Sequence, residues 1–175
     1  IRLKTGNSGS KAYISGYKDG TFRPDSTITR AETAAIIARC SADFDENKMY
    51  ASDFTDVSDN EWYANYVGYA AEKGYIHGYE GGPFKADIDI TRGELAVILS
   101  KYGSFDGDGI CTEFSDVPND YYATEYIKAL YDENIVSGYE DGTFKPDNSV
   151  TRAEAVTMMN KVLDNPIAEK AENPF

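Results

Sequence analysis

Basic side chains are scarce in this 175-residue chain: 17 Lys and Arg stand against 30 Asp and Glu, for a net charge of −13 and a pI near 4.4. No basic stripe is present to follow a phosphate backbone, which excludes nucleic acid as a partner. An anionic ligand has to be held by local Arg and Lys against the field of the whole chain. Histidine is rarer still. His77 is the only one, with Ser15 and Ser137 at its equivalent places, so neither a triad nor a histidine metal site can be assembled. No apolar run is long enough to span a bilayer, so no membrane insertion is expected. No signal peptide is present; the chain starts at Ile1 and reads as a fragment or a processed product. Nucleophile elbows and phosphate loops are missing, and no cofactor is implied. Asp43, Asp45 and Asn47 open like a calcium loop, but Lys48 stands where Gly is needed and Phe54 where the bidentate Glu is needed. The stretch 106–109 is equally incomplete, so no metal is expected. Cys40 and Cys111 fall at non-equivalent positions, and a disulfide and two buried thiols both stay open.

What the chain has is repetition. Residues 16–32, 78–94 and 138–154 match without a gap: Gly16-Tyr17-Lys18-Asp19-Gly20-Thr21-Phe22 in the first copy leads through Pro24 to Ile28-Thr29-Arg30-Ala31-Glu32. The second copy departs at Gly81, Pro83, Ala86 and Gly93. A unit of about sixty residues buries a core only by stacking on its neighbours, so the three copies are expected to form one body.

Within the unit, Thr followed three residues later by Glu before an apolar-periodic run is a capping box. Thr29, Thr91 and Thr151 are expected N-caps, with Glu32, Glu94 and Glu154 reaching back to the cap. Arg30, Arg92 and Arg152 sit at the first helical position, where the macrodipole disfavours a cation. Such an Arg suits an anion bound at the free N–H groups of the helix start. It equally suits a nearby acidic side chain or the face of a Tyr. The helices that follow share an apolar face at Ala34, Ile36 and Ile37, at Ala96, Ile98 and Leu99, and at Val156, Met158 and Met159. A cation, Arg39, Lys101 or Lys161, stands near each helix end, where the dipole favours it.

Two of the copies are preceded by a further helix. Trp62, Tyr66, Val67 and Ala70 align with Tyr122, Tyr126, Ile127 and Leu130, and Gly74 and Asn134 fall where a left-handed residue ends a helix. The expected units are therefore residues 1–40, lacking the opening helix, then 54–103 and 114–163, then a tail at 164–175. Phe175 follows Phe54 and Phe114 at the repeat spacing. Three outcomes are open for it: a parent chain that continues, a tail folded over the first repeat, or a frayed end. The fold class is all-α, with helix–loop–helix repeats around a pseudo-threefold axis.

These residues resemble the S-layer homology family, whose repeat carries an opening Phe-x-Asp-Val with Trp, a Gly-Tyr-x-Asp-Gly-x-Phe-x-Pro loop and an Ile-Thr-Arg-Ala-Glu helix start. The resemblance runs from about Lys11 to Leu163. It implies a spindle with a central three-helix bundle, grooves between prongs, and non-catalytic anchoring at the surface of Gram-positive bacteria. The implied ligand is an extracellular cell-wall polysaccharide, often bearing pyruvate ketals. The implied contacts are Arg30, Arg92 and Arg152, the aromatics Trp62 and Tyr122, and the loop residues Gly16, Gly78, Gly138, Asp19 and Asp141. A ketal carboxylate suits Arg. The groove that pairs Arg30 with Trp62 is expected to be the strongest, because the second repeat departs from the pattern and the first has no opening Trp.

The rival reading is a self-association module: a homodimer by tail exchange, in which a tail from the same or another chain completes the missing half-repeat. An enzyme is not expected, since the repeated Glu residues are consumed by capping.

Overall fold

The computed structural model describes residues 12–107, 109–111 and 113–163. Expectations about the tail at 164–175, including tail exchange, lie outside the described residues. Five helices appear in order: α1 (Arg30–Cys40), α2 (Ala64–Glu72), α3 (Arg92–Gly103), α4 (Thr124–Asp132) and α5 (Arg152–Val162). No strand longer than an isolated bridge occurs among the described residues, and the fold is all-α.

Each of α1, α3 and α5 starts in the same way. The side chain of the N-cap Thr accepts from the amide of the Glu three residues on, and that Glu returns to the cap amide. The cap residues are extended, so the chain arrives at each helix as a short strand-like segment. Those segments meet at the axis. Ile28 N–H donates to the carbonyl of Val150, Val150 to Ile90, and Ile90 to Ile28, each at 3.0 Å. The ring is closed, and its three side chains are fully buried. Burying one such side chain contributes about 1.5–3 kcal/mol.

The loops lock the ring from outside. Carbonyls of Ala86 and Ile88 accept from the first amides of α1, those of Pro146 and Asn148 from α3, and those of Pro24 and Ser26 from α5. Each helix start is thus finished by the loop of the next repeat in cyclic order, with the third returning to the first.

The opening helices pack one repeat back: α2 lies on α1 and α4 on α3, while α5 packs on α3. Gly74 and Asn134 follow these helices with φ of 73° and 58°. The connection through residues 41–53 carries its own aromatic cluster, where Phe44 meets Tyr50, Tyr66 and Tyr69. Tyr50 is held there by the side chain of Asn65, which accepts its amide at 2.8 Å. Cys40 and Cys111 are separate thiols, and burial pushes the Cys40 thiol up to about 12.

Candidate functional site

Arg30, Arg92 and Arg152 are 3–5% exposed, and each is committed to the next repeat. Arg30 donates from Nε to the Phe84 carbonyl at 2.9 Å, to the His77 carbonyl at 2.7 Å, and to Glu94 at 3.0 Å. Arg92 donates to the Phe144 carbonyl at 2.8 Å and to Glu154 at 3.2 Å. Arg152 donates to the carbonyls of Phe22 and Ser15 at 3.0 and 2.7 Å and to Glu32 at 3.4 Å. Each guanidinium also lies over a Tyr and a Phe ring of the same neighbour, such as Tyr79 and Phe84 at 4.7 Å. The Glu that receives the Arg is the Glu of the capping box, one oxygen serving each role. This joint is the reason a cation tolerates the helix start: its charge is matched by a carboxylate one repeat away.

The helix starts themselves are closed to an anion. The first two amides of each helix donate to loop carbonyls, and the third donates to the cap Thr. The expectation of free N–H groups beside the Arg is corrected here, because the neighbouring loop consumes them.

Two open clefts flank these joints. The first encloses about 200 Å³ and is lined by Gly16 and Tyr17 of the first loop, Glu32 and Arg39 of α1, Trp62, and Arg152. Three repeats meet in it. The pairing of Trp62 is thus with Arg152, not with Arg30: α2 packs on α1, and the Arg that serves the first loop comes from the third repeat. Trp62 precedes α2 rather than lying within it, and it is 56% exposed, so it is not a core residue. Arg39 is half-buried, lies 4.9 Å from the centroid of the Tyr66 ring, and donates to the Tyr66 hydroxyl at 3.2 Å.

The second cleft encloses about 300 Å³ and brings Gly138 and Tyr139 together with Glu154, Lys161 and Arg92. Between them in sequence, the equivalent place on α3 is built differently. Lys101 Nζ contacts His77 Nε2, and the His77 imidazole is held below its ordinary value by burial and by Lys101. Glu94 accepts from the Tyr79 hydroxyl, whose pKa is pushed up to about 12 by burial and by that bond. Tyr122 is 57% exposed, and its hydroxyl lies close to Gly93 and Gly78 belongs to the adjoining loop, where an added Cβ would meet the Phe54 ring.

Asp19 and Asp141 line neither cleft. Asp19 accepts from the amide and hydroxyl of Thr21 and from Arg23, which hold its carboxyl down at about 2. Asp141 binds Thr143 in the same way. Both carboxylates fix their loops. The cleft cations Arg39 and Lys161 were legible only as helix-end charges. Their signal was spacing: Glu32 and Arg39, like Glu154 and Lys161, are seven residues apart and share a helix face.

The family model for the S-layer homology domain matches residues 10–34, 53–96 and 113–156. The chain is 38% identical over 165 residues to cell surface glycoprotein 1 of Acetivibrio thermocellus, covering 88% of this chain and 7% of that protein. It is 35% identical over 170 residues to the cellulosome-anchoring protein of the same organism, covering 92% of this chain and 38% of that protein. It is 30% identical over 162 residues to an amylopullulanase of Thermoanaerobacterium thermosulfurigenes, covering 89% of this chain and 8% of that enzyme. This chain therefore spans well under two thirds of each relative. Three matched repeats, joined by one cyclic set of Arg–Glu contacts, place the chain in the S-layer homology domain family.

Proposed function

We propose that this chain is a non-catalytic anchor that holds a protein at the bacterial cell surface by binding an anionic cell-wall polysaccharide in its inter-repeat clefts. The observation that carries this reading is the first cleft. An exposed indole, Trp62, stands beside two guanidinium groups, Arg39 and Arg152, in a chain of net charge −13. An aromatic face suits the apolar face of a sugar ring, and a guanidinium fork suits a carboxylate such as a pyruvate ketal.

In this reading Arg152 shapes the cleft and Arg39 supplies the more accessible charge, while Gly16 keeps the loop backbone close. The cleft at Gly138, Arg92 and Lys161 is a second position for the same ligand. The place near Arg30, Gly78 and Tyr122 is the weakest, since Lys101 is engaged with the His77 side chain there, whereas Lys161 meets a backbone carbonyl, that of Asn134. Relatives named as a surface glycoprotein, an anchoring protein and an amylopullulanase match through a similar stretch of about 165 residues. That supports a shared attachment role carried by different proteins. Among the described residues no helix is long and apolar enough to cross a membrane.

Calorimetry with purified wall polymer tests the reading. Trp62→Ala is expected to weaken binding at least tenfold while the thermal midpoint holds. Equal affinity for the variant and the wild type contradicts the assignment of the cleft.

A further inference from the structure

Two of the three repeats carry an opening segment, and both are seated alike. Phe54 stacks on Phe84 and Phe114 packs on Phe144, each with ring centroids 5.2 Å apart. Two residues on, Asp56 accepts from the amides of Phe84 and Lys85 at 2.6 and 2.7 Å, and Asp116 from those of Phe144 and Lys145 at 2.7 and 2.8 Å. Between them, Thr55 and Ser115 donate their amides to the carbonyls of Gly82 and Gly142 at 3.0 Å. The helix that follows then lies on the capped helix of the preceding repeat.

The first repeat offers the same seat with no such segment among the described residues. Its loop has the same internal bonds, Tyr17 N–H to Thr21 and Gly20 N–H to Tyr17. Arg23 has φ 53°, as Lys85 and Lys145 have 58° and 57°, so the amides of Phe22 and Arg23 are set in the conformation that receives an Asp elsewhere. The Phe22 ring is 37% exposed, against 1% for Phe84 and 0% for Phe144. A Cβ added at Gly78 or Gly138 would strike the seated Phe ring, whereas at Gly16 it would meet only the Thr21 carbonyl.

The helix side of the seat agrees. On α1 and α3, Ala34, Ala38, Ala96 and Ser100 are buried, and α2 and α4 lie on those helices. At the matching positions of α5, Val156 and Asn160 are only partly covered, and what covers Asn160 includes Tyr13, whose hydroxyl donates to its side chain at 2.7 Å. The cleft on α5 also lacks the aromatic that an opening segment brings to the first cleft as Trp62.

We infer that the surface formed by Phe22, the amides of Phe22 and Arg23, and the Val156–Asn160 face of α5 docks a further opening half-repeat. The occupant is a Phe-x-Asp-Val segment with its amphipathic helix, of the chemistry of residues 54–73 and additional to the two already seated. Its chemistry is fixed by continuity: the two equivalent faces of this chain are filled by such segments. Docking also brings an aromatic over Arg92 and Lys161 and completes the second cleft. The inference is independent of the wall-binding reading, because docking is measured without polymer.

The test is titration of the 175-residue chain with a labelled peptide of residues 53–74, read by anisotropy and by amide shifts. Saturable binding that shifts the amides of Phe22 and Arg23, weakened at least tenfold in peptides carrying Phe54→Ala or Asp56→Ala, supports the inference. The peptide variants decide the matter even where Phe22→Ala in the protein disturbs folding. Failure of the wild-type peptide to bind overturns it, as does equal binding by the Asp56→Ala peptide. A chain whose mass rises with concentration and which the peptide cannot dissociate also overturns it, since a second copy then holds the seat.

Discussion

The guanidinium of Arg152 meets the carboxylate of Glu32 at 3.4 Å across 120 residues of chain. That contact closes the cycle in which Arg30 reaches Glu94 and Arg92 reaches Glu154. It is paired with the closed backbone ring of Ile28, Ile90 and Val150, so the third repeat is bonded to the first as the first is to the second. Arg152→Ala leaves Glu32 and two loop carbonyls without their donor. A loss of about 3–5 kcal/mol is expected in chemical denaturation. Arg152→Lys is expected to recover only part of it, because an ammonium cannot make the forked contacts. A change below about 1 kcal/mol for Arg152→Ala contradicts the joint.

Gly93 stands where the other repeats have Ala31 and Ala153. A Cβ there would lie 2.7 Å from the Tyr121 hydroxyl and 3.2 Å from the Pro146 carbonyl, and Tyr121 is tied to Asp147 at 2.9 Å. Gly93→Ala is expected to destabilise by about 1–3 kcal/mol through overpacking. In a Tyr121→Phe background the cost is expected to shrink, since the helix-propensity gain of Ala, up to about 1 kcal/mol, then has less to oppose it. A double-mutant cycle without coupling contradicts this account.

The capping boxes and the loop turns were legible because each is decided within a few residues. The partner of each Arg was not. Local physics showed only that Arg30, Arg92 and Arg152 needed an anion or a ring, and the structure supplies both, from the next repeat. Trp62 was matched with Arg30 because the second repeat departs from the motif and the first has no opening Trp of its own; the cyclic order of the repeats instead delivers Arg152. No local pattern specifies which repeat follows which around an axis. Arg39 was hidden for another reason: a cation near a helix end already has an explanation in the dipole, so its seven-residue spacing from Glu32 did not stand out as a shared face.

Part of the acid sensitivity is expected at Asp56. Burial pushes its carboxyl up, but the amides of Phe84 and Lys85 outweigh that, and the net effect holds it below the ordinary value. A carboxyl depressed in the folded state contributes its stability in full above the unfolded value and loses it as pH falls through the folded one. The stability of the wild type is therefore expected to drop more steeply below about pH 4 than that of Asp56→Asn. Parallel curves from pH 6 to pH 2 contradict the assignment.

His77 provides a single-residue check. Burial and the nearby Lys101 both disfavour its charged form, so the neutral ring is favoured by the fold and acidification erodes that stability as pH falls through the unfolded value. A proton-resonance titration of this lone histidine is expected to give a midpoint below the ordinary value, and Lys101→Met is expected to raise it. A midpoint at or above the ordinary value contradicts the contact.

The most direct measurement is binding to polymer-bearing cell walls before and after chemical removal of the pyruvate ketal, for wild type and Arg39→Gln. Unlike the buried Arg152, Arg39 can be changed at a stability cost expected to be about 1 kcal/mol or less. The account predicts tight binding by the wild type to intact walls, at least tenfold weaker binding to stripped walls, and at least tenfold weaker binding by Arg39→Gln to intact walls with a thermal midpoint lowered by no more than about 4 °C. Equal binding of the wild type to intact and stripped walls contradicts it.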